Sequence, residues 1–182
     1  MKTLKLCLSL LAVMVVGTLV GCSAKSTKSE DVSEKLRTSL DQAGFKHVSA
    51  SQDRDKGVVT LGGTVASDSD KLQAESIAKS IAGAQVVSNQ IAVIPPGAES
   101  DAKTINSDLD KGIASNLNAA LIQVKLHDSV KFAVKNHVVT LTGEVDSQSK
   151  REQAQEIAAA VLNVQQVVNE LQVKRQKATS SK

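Results

Sequence analysis

Residues 58–65 read VVTLGGTV, and residues 138–145 read VVTLTGEV. The two stretches anchor a longer self-similarity. Residues 58–93 align with 138–173 without a gap, and 16 of the 36 positions are identical. Such a fixed-shift match marks an internal duplication, so the fold is read once and applied twice.

Within residues 58–65, apolar and polar residues alternate as a half-buried strand requires. Val59, Leu61, Gly63 and Val65 share one side, and Thr60, Gly62 and Thr64 the other. A glycine inside a strand pattern marks a bulge or a close backbone approach, which is the reading for Gly63 and Gly143. Before it lies a second strand, clearest in copy two, where Val130, Phe132 and Val134 alternate with Lys131, Ala133 and Lys135. Turn residues close the hairpin, Arg54–Gly57 in copy one and Lys135–His137 in copy two.

Helices flank the hairpin. Val32, Leu36, Leu40 and Ala43, and in copy two Leu109, Ile113, Leu117 and Leu121, recur at helical spacing. Ser29 and Ser107 are the expected N-caps. A second helix begins near Ser67 or Ser147 and carries Ala74, Ile77, Ala78 and Ile81, or Ala154, Ile157, Ala158 and Val161. A last strand holds Val87, Asn89, Ile91 and Val93, or Val167, Asn169, Leu171 and Val173. The class is α+β: two tandem αββαβ domains, each a three-stranded mixed sheet with two helices on one face. If the last β-α-β step joins parallel strands, its crossover is expected to be right-handed. The opposite sheet face is expected to be polar and open, with Lys131, Lys135, Thr140, Thr142, Glu144, Glu170 and Gln172 in copy two. The expected role of Asn89 and Asn169 is to satisfy backbone groups near the sheet edge.

The chain has 182 residues, no Trp, no Tyr and two Phe, so its cores are aliphatic and it lacks aromatic platforms for stacking bases or sugars. Net charge is +3, of which Lys2 and Lys5 belong to a positive start followed by an apolar run too short to span a membrane. Nothing here has the basic weight of a nucleic-acid binder. Leu19-Val20-Gly21-Cys22 resembles the lipobox of bacterial lipoproteins. That resemblance implies cleavage before Cys22 and acylation of its sulfur, with several acyl chains giving a lasting anchor. Ser23 after it implies, by the same resemblance, sorting to the periplasmic face of the outer membrane. The domains would then contain no thiol.

The duplicated pattern VVTLxGxV, an Ala-rich helix and VxNxxxV resembles the BON (bacterial OsmY and nodulation) family, and two copies behind a lipobox resemble dual-BON envelope lipoproteins. One departure from the family stands before the last strand, where a glycine–valine pair is replaced by Gly83-Ala84 and by Asn163-Val164, which sets the turn of copy two apart. The expected layout is a signal peptide (1–21), a lipidated tether (22–29), domain 1 (30–94), a Pro/Gly linker (95–104), domain 2 (105–173) and a basic tail (174–182).

No zinc-binding histidine spacing and no nucleophile elbow occurs. His47, His127 and His137 read as exposed turn residues, the serines as caps and tether, and no cofactor, metal or catalytic residue is expected. Charge separates the copies. Residues 30–94 carry seven basic and nine acidic side chains, and residues 103–182 eleven and eight. Copy two is therefore the expected partner of anionic phospholipid headgroups, each nearby Lys or Arg adding about 1 kcal/mol at such a surface. The candidates are Lys125, Lys131, Lys135, Lys150 and Arg151, with Cys22 as the lipid attachment. The resemblance implies support of outer-membrane integrity or stress tolerance. The alternative is a periplasmic protein-binding adaptor or holdase that meets envelope proteins through exposed strand edges.

Overall fold

The computed structural model describes residues 28–174. The expected signal peptide, Cys22, most of the tether and nearly all of the basic tail lie outside the described residues. Copy one runs α1 (Ser33–Gln42), β1 (Val48–Asp53), β2 (Val58–Val65), α2 (Asp68–Ala82), β3 (Val86–Asn89) and β4 (Ala92–Val93). Copy two runs α3 (Glu99–Gln123), β5 (Val130–Lys135), β6 (Val138–Val145), α4 (Gln148–Ala160), β7 (Gln166–Asn169) and β8 (Gln172–Val173).

The quoted stretch is the central strand of each sheet. β2 pairs antiparallel with β1, from Val48↔Gly63 to Asp53↔Val58, and parallel with β3 and β4. β6 repeats this with β5, β7 and β8. The expected third strand is thus one ribbon broken in two, and Asn89 and Asn169 break it. Asn89 Oδ1 accepts the Ile91 N–H at 3.3 Å, and Asn169 Oδ1 accepts the Leu171 N–H at 3.1 Å. A side chain that binds the backbone two residues on competes with the ladder. Their amide nitrogens then donate to the second helix of each copy, to Lys71 O and Glu75 in one and to Arg151 O and Gln155 in the other. Ile91 and Leu171, just past the break, are turned into the core.

Two aliphatic cores result. Leu36, Leu40, Val59, Leu61 and Ile91 fill the first, and Ile113, Leu117, Leu121, Leu141 and Leu171 the second. Ala74 and Ala78, like Ala154 and Ala158, are fully buried, so small side chains let α2 and α4 lie close on their sheets. Ala43, expected on the α1 face, falls just past the helix and is exposed.

Gly63 and Gly143 take φ of +98° and +118°. A Cβ there would stand 2.0 Å from His47 O or 2.3 Å from Ser129 O, which identifies the close backbone approach expected at both. The turns after α2 and α4 both pass through a residue of positive φ, Gly83 (φ +62°, ψ −118°) and Asn163 (φ +68°), and Asn is among the non-glycine residues that accept positive φ most readily. The substitution shows instead in the helix, which ends at Ala160 in copy two, two residues short of its counterpart Ala82.

Ser67 and Ser147 cap α2 and α4 as expected, accepting the Asp70 and Lys150 N–H groups. Ser29 and Ser107 do not cap. The start of α1 is held by Asp31, which accepts the Ser33 N–H, and by Gln52, which accepts the Val32 N–H. Ser107 lies inside α3, because that helix begins at Glu99, within the stretch expected to be linker. The connection shrinks to Ile94–Ala98, and Glu99 and Asp101 sit in the first turn, where negative charge suits the helix dipole.

Replacing Gly143 by Ala is expected to cost about 2–4 kcal/mol in urea unfolding, since both the positive φ and the Ser129 carbonyl oppose a methyl group. Gly112→Ala, inside α3 with nothing within 4 Å of the added carbon, is expected to stabilise by about 0.5–1 kcal/mol.

Candidate functional site: the domain seam and the basic edge strand

The two copies pack on each other. Val58, Val138 and Val168, all on sheet faces turned away from the helices, form a small buried apolar patch. Around it the contacts are polar. β3 would be an open sheet edge, but the Gln166 carboxamide covers it. Its Oε1 accepts the Asn89 N–H at 2.9 Å and its Nε2 donates to Val87 O at 2.7 Å. A single side chain therefore acts as one residue of an added strand. Asn136 Nδ2 donates to Gln90 O at 2.7 Å, and Lys71 Nζ to Gln165 Oε1 at 3.1 Å.

Lys56 and Glu170 close the seam with an ion pair of 2.7 Å. Glu170 is only 11% exposed in its side chain, so the face expected to be open in copy two is partly covered by copy one. The Glu170 hydrogen bond and charge hold the Lys56 ammonium above its usual range. With a raised folded value, the pair contributes below the ordinary lysine pKa and is lost only as pH rises through the raised one. Burial lowers Lys71, opposed by Asp68 and Glu75. Glu75 is pushed up by burial, but hydrogen bonds from Asn89 and Lys79 outweigh this and hold it below the usual range. Its contribution is therefore present above the ordinary carboxylate pKa and fades as pH falls through the lowered value.

Asp110 positions the hairpin that reaches the seam. Its two carboxylate oxygens accept the Asn136 and His137 N–H groups, each at 2.8 Å. Those two residues have φ of +47° and +66°, the left-handed pair a two-residue hairpin needs. Of the three histidines expected to be exposed, His47 and His127 are. His137 is half-buried, and its Nε2 is buried with no hydrogen-bond partner among the described residues, because the seam closes over the turn. It borders a cavity of about 90 Å³ between the copies.

The five basic candidates divide. Lys131 and Lys135 are exposed on β5, the outer strand of the second sheet, on the face turned away from α3 and α4. Lys125 follows α3 in a left-handed turn and is exposed. Lys150 lies in α4, in the helix layer, paired with Asp146 at 2.7 Å. Arg151 is drawn inward. Its guanidinium donates to Leu171 O at 3.0 Å and Asn169 O at 3.2 Å, so it holds the broken third strand. Those two carbonyls need a donor where the ladder is interrupted, and Arg151 is the donor within reach. The basic surface thus reduces to Lys131 and Lys135, with Lys125 apart from them. Gln165, Gln166, Lys56, Glu170 and Asp110 were not expected to matter. For Gln166 the signal in the sequence is a mismatch between the copies, Val86 against Gln166.

Among the described residues no cluster of three or more His, Cys, Asp or Glu is placed to hold a metal ion, and no helix is long and apolar enough to cross a membrane.

Two helices packed on one face of a mixed sheet with a broken third strand, built twice, define a class that comparison with known proteins also reaches. The BON domain family model matches residues 28–95 and 109–175, and the chain belongs to the BON domain family. It is similar to osmotically-inducible protein Y of Escherichia coli (strain K12), with 29% identity over 202 aligned positions, covering 96% of this chain and 99% of that one. Among solved structures, two of CdsD, a structural protein of the type III secretion system of Chlamydia trachomatis, align at 13% identity. One covers 79% of this chain and 66% of that one with a TM-score of 0.33. The other covers 78% and 91% with a TM-score of 0.35.

Gln166→Ala is expected to strip the Asn89 amide of its acceptor. Hydrogen exchange at Asn89 should rise at least tenfold while core amides such as Leu61 stay protected, and global stability should fall by about 1–3 kcal/mol.

Proposed function

We propose that this chain is a non-enzymatic envelope lipoprotein, anchored at the periplasmic face of the outer membrane through acylated Cys22, whose second BON domain associates with anionic phospholipid headgroups. The observation that carries this reading is the pair Lys131 and Lys135. Both stand exposed on the outer strand of the second sheet, and among the described residues no carboxylate lies within 4.0 Å of either. An ammonium without an internal partner keeps its full attraction for an external phosphate. Arg151 is no longer among the residues offered to lipid, and Lys150 contributes less because Asp146 offsets its charge. The name of the E. coli relative supports a role in tolerating osmotic stress, which an anchored module at a membrane surface suits.

Residues 23–182 without acylation should pellet with phosphatidylglycerol vesicles at low salt, remain in solution with phosphatidylcholine, and be released at about 0.5 M salt, where the Debye length falls to about 4 Å. Lys131→Ala/Lys135→Ala should weaken binding about 30-fold, from roughly 1 kcal/mol per charge. Binding that survives salt and the double variant would contradict the reading.

A further inference from the structure

A second surface lies between the domains. A groove of about 680 Å³ is walled on one side by the end of β2, by β4 and by Ile94, and on the other by α3 and β5. Its size is within the range of about 300–1,000 Å³ usual for ligand sites. It depends on the unexpected part of the fold. α1 has 10 residues and α3 has 25, and the additional N-terminal turns of α3 supply Lys103, Asn106 and Ser107 to the groove wall.

We infer that this groove is a binding site for an extended acidic peptide segment of a partner protein. The apolar part of the lining is Ile94, Phe132 and Val134, each only half-buried. The rim is cationic, with Lys103, Lys111 and Lys135. Asp110 is the one carboxylate in the lining, and both its oxygens are engaged by the Asn136 and His137 N–H groups. Lys103, like Lys135, has no carboxylate within 4.0 Å among the described residues, and Lys111 meets only the exposed Asp108. The charge presented to an occupant is therefore positive.

The remaining lining distinguishes a peptide from an alkyl chain. Asn106 and Ser107 bring an amide and a hydroxyl to the lining of the groove. A hydrocarbon would bury those groups without partners, at about 1–3 kcal/mol each. A peptide main chain supplies a donor and an acceptor at every residue. Its apolar side chains would rest on Phe132 and Ile94, and its carboxylates would reach the lysines. This inference does not rest on the membrane reading. The two surfaces share only Lys135.

The test uses residues 23–182 and a fluorescein-labelled pool of decapeptides alternating Val, Leu or Phe with Asp or Glu, followed by anisotropy. A matched pool with Lys in place of the acids is the control. The acidic pool should bind saturably and the basic pool should not. Lys103→Glu, on an exposed helix position, should weaken binding at least tenfold, as should Ala114→Trp, which fills the groove. Lys35→Glu, exposed on α1 in domain 1, should stay within twofold. Thermal unfolding of each variant checks that it is folded. Absence of saturable binding, or binding unchanged in both groove variants, overturns the inference. So does displacement of the peptide by phosphatidylglycerol vesicles together with loss of vesicle pelleting in Ala114→Trp, since the groove would then be a lipid site. Loss of pelleting in Lys131→Ala/Lys135→Ala with peptide binding to Lys131→Ala intact would support two separate surfaces.

Discussion

The carboxamide of Gln166, laid along the free edge of β3, is the contact on which this architecture turns. An open sheet edge is a liability, because its unpaired N–H and C=O groups invite pairing with another chain. Here one edge is closed from within by a side chain of the other copy. The closure decides how the domains sit, since the apolar patch of Val58, Val138 and Val168 is too small to orient them alone. Lys56–Glu170 and Asn136–Gln90 then lie on the same seam and fix it from both sides. The outer strands β1 and β5 are among the edges left free, and β5 carries the lysines.

Duplication explains the fold, and divergence explains the surface. Residues that hold each copy together are the same in both: the VVTL strand, the glycine pressed against a carbonyl, the buried alanines and the strand-breaking asparagine. Residues at the seam differ. Gln166 faces where copy one has Val86, and the buried Ser88 is matched by Val168. The contact is asymmetric, because a glutamine of one copy meets the bare backbone edge of the other. The same asymmetry lengthens α3 and creates the groove beside it.

Much of the architecture was legible in the sequence, because it is written in periodicity. Strand alternation, the i, i+3, i+4 spacing of Ala74, Ile77 and Ala78, and the misplaced glycine all encode burial within a copy. The first half of α3 was not legible. Glu99 to Asn106 has no apolar stripe to bury, since it overhangs its own domain, and so residues 95–104 read as linker and the helix as starting at Ser107. The break in the third strand hid in Asn89 and Asn169, whose local role was visible but whose effect on the ladder was not. The site was less legible still. Spacing does not show that Arg151 turns inward to two carbonyls or that Glu170 finds Lys56 in the other copy, because both depend on contacts distant in sequence.

If the seam is what the structure makes it, the two domains tumble as one body. Backbone ¹⁵N relaxation on residues 23–182 measures this directly. A single rotational diffusion tensor fitted to the amides of both sheets, of a size appropriate to the whole chain, is the expected result. Two separate tensors, each with the shorter correlation time of one domain, would mean that the Gln166 contact does not hold in solution, and the account built on it would fail.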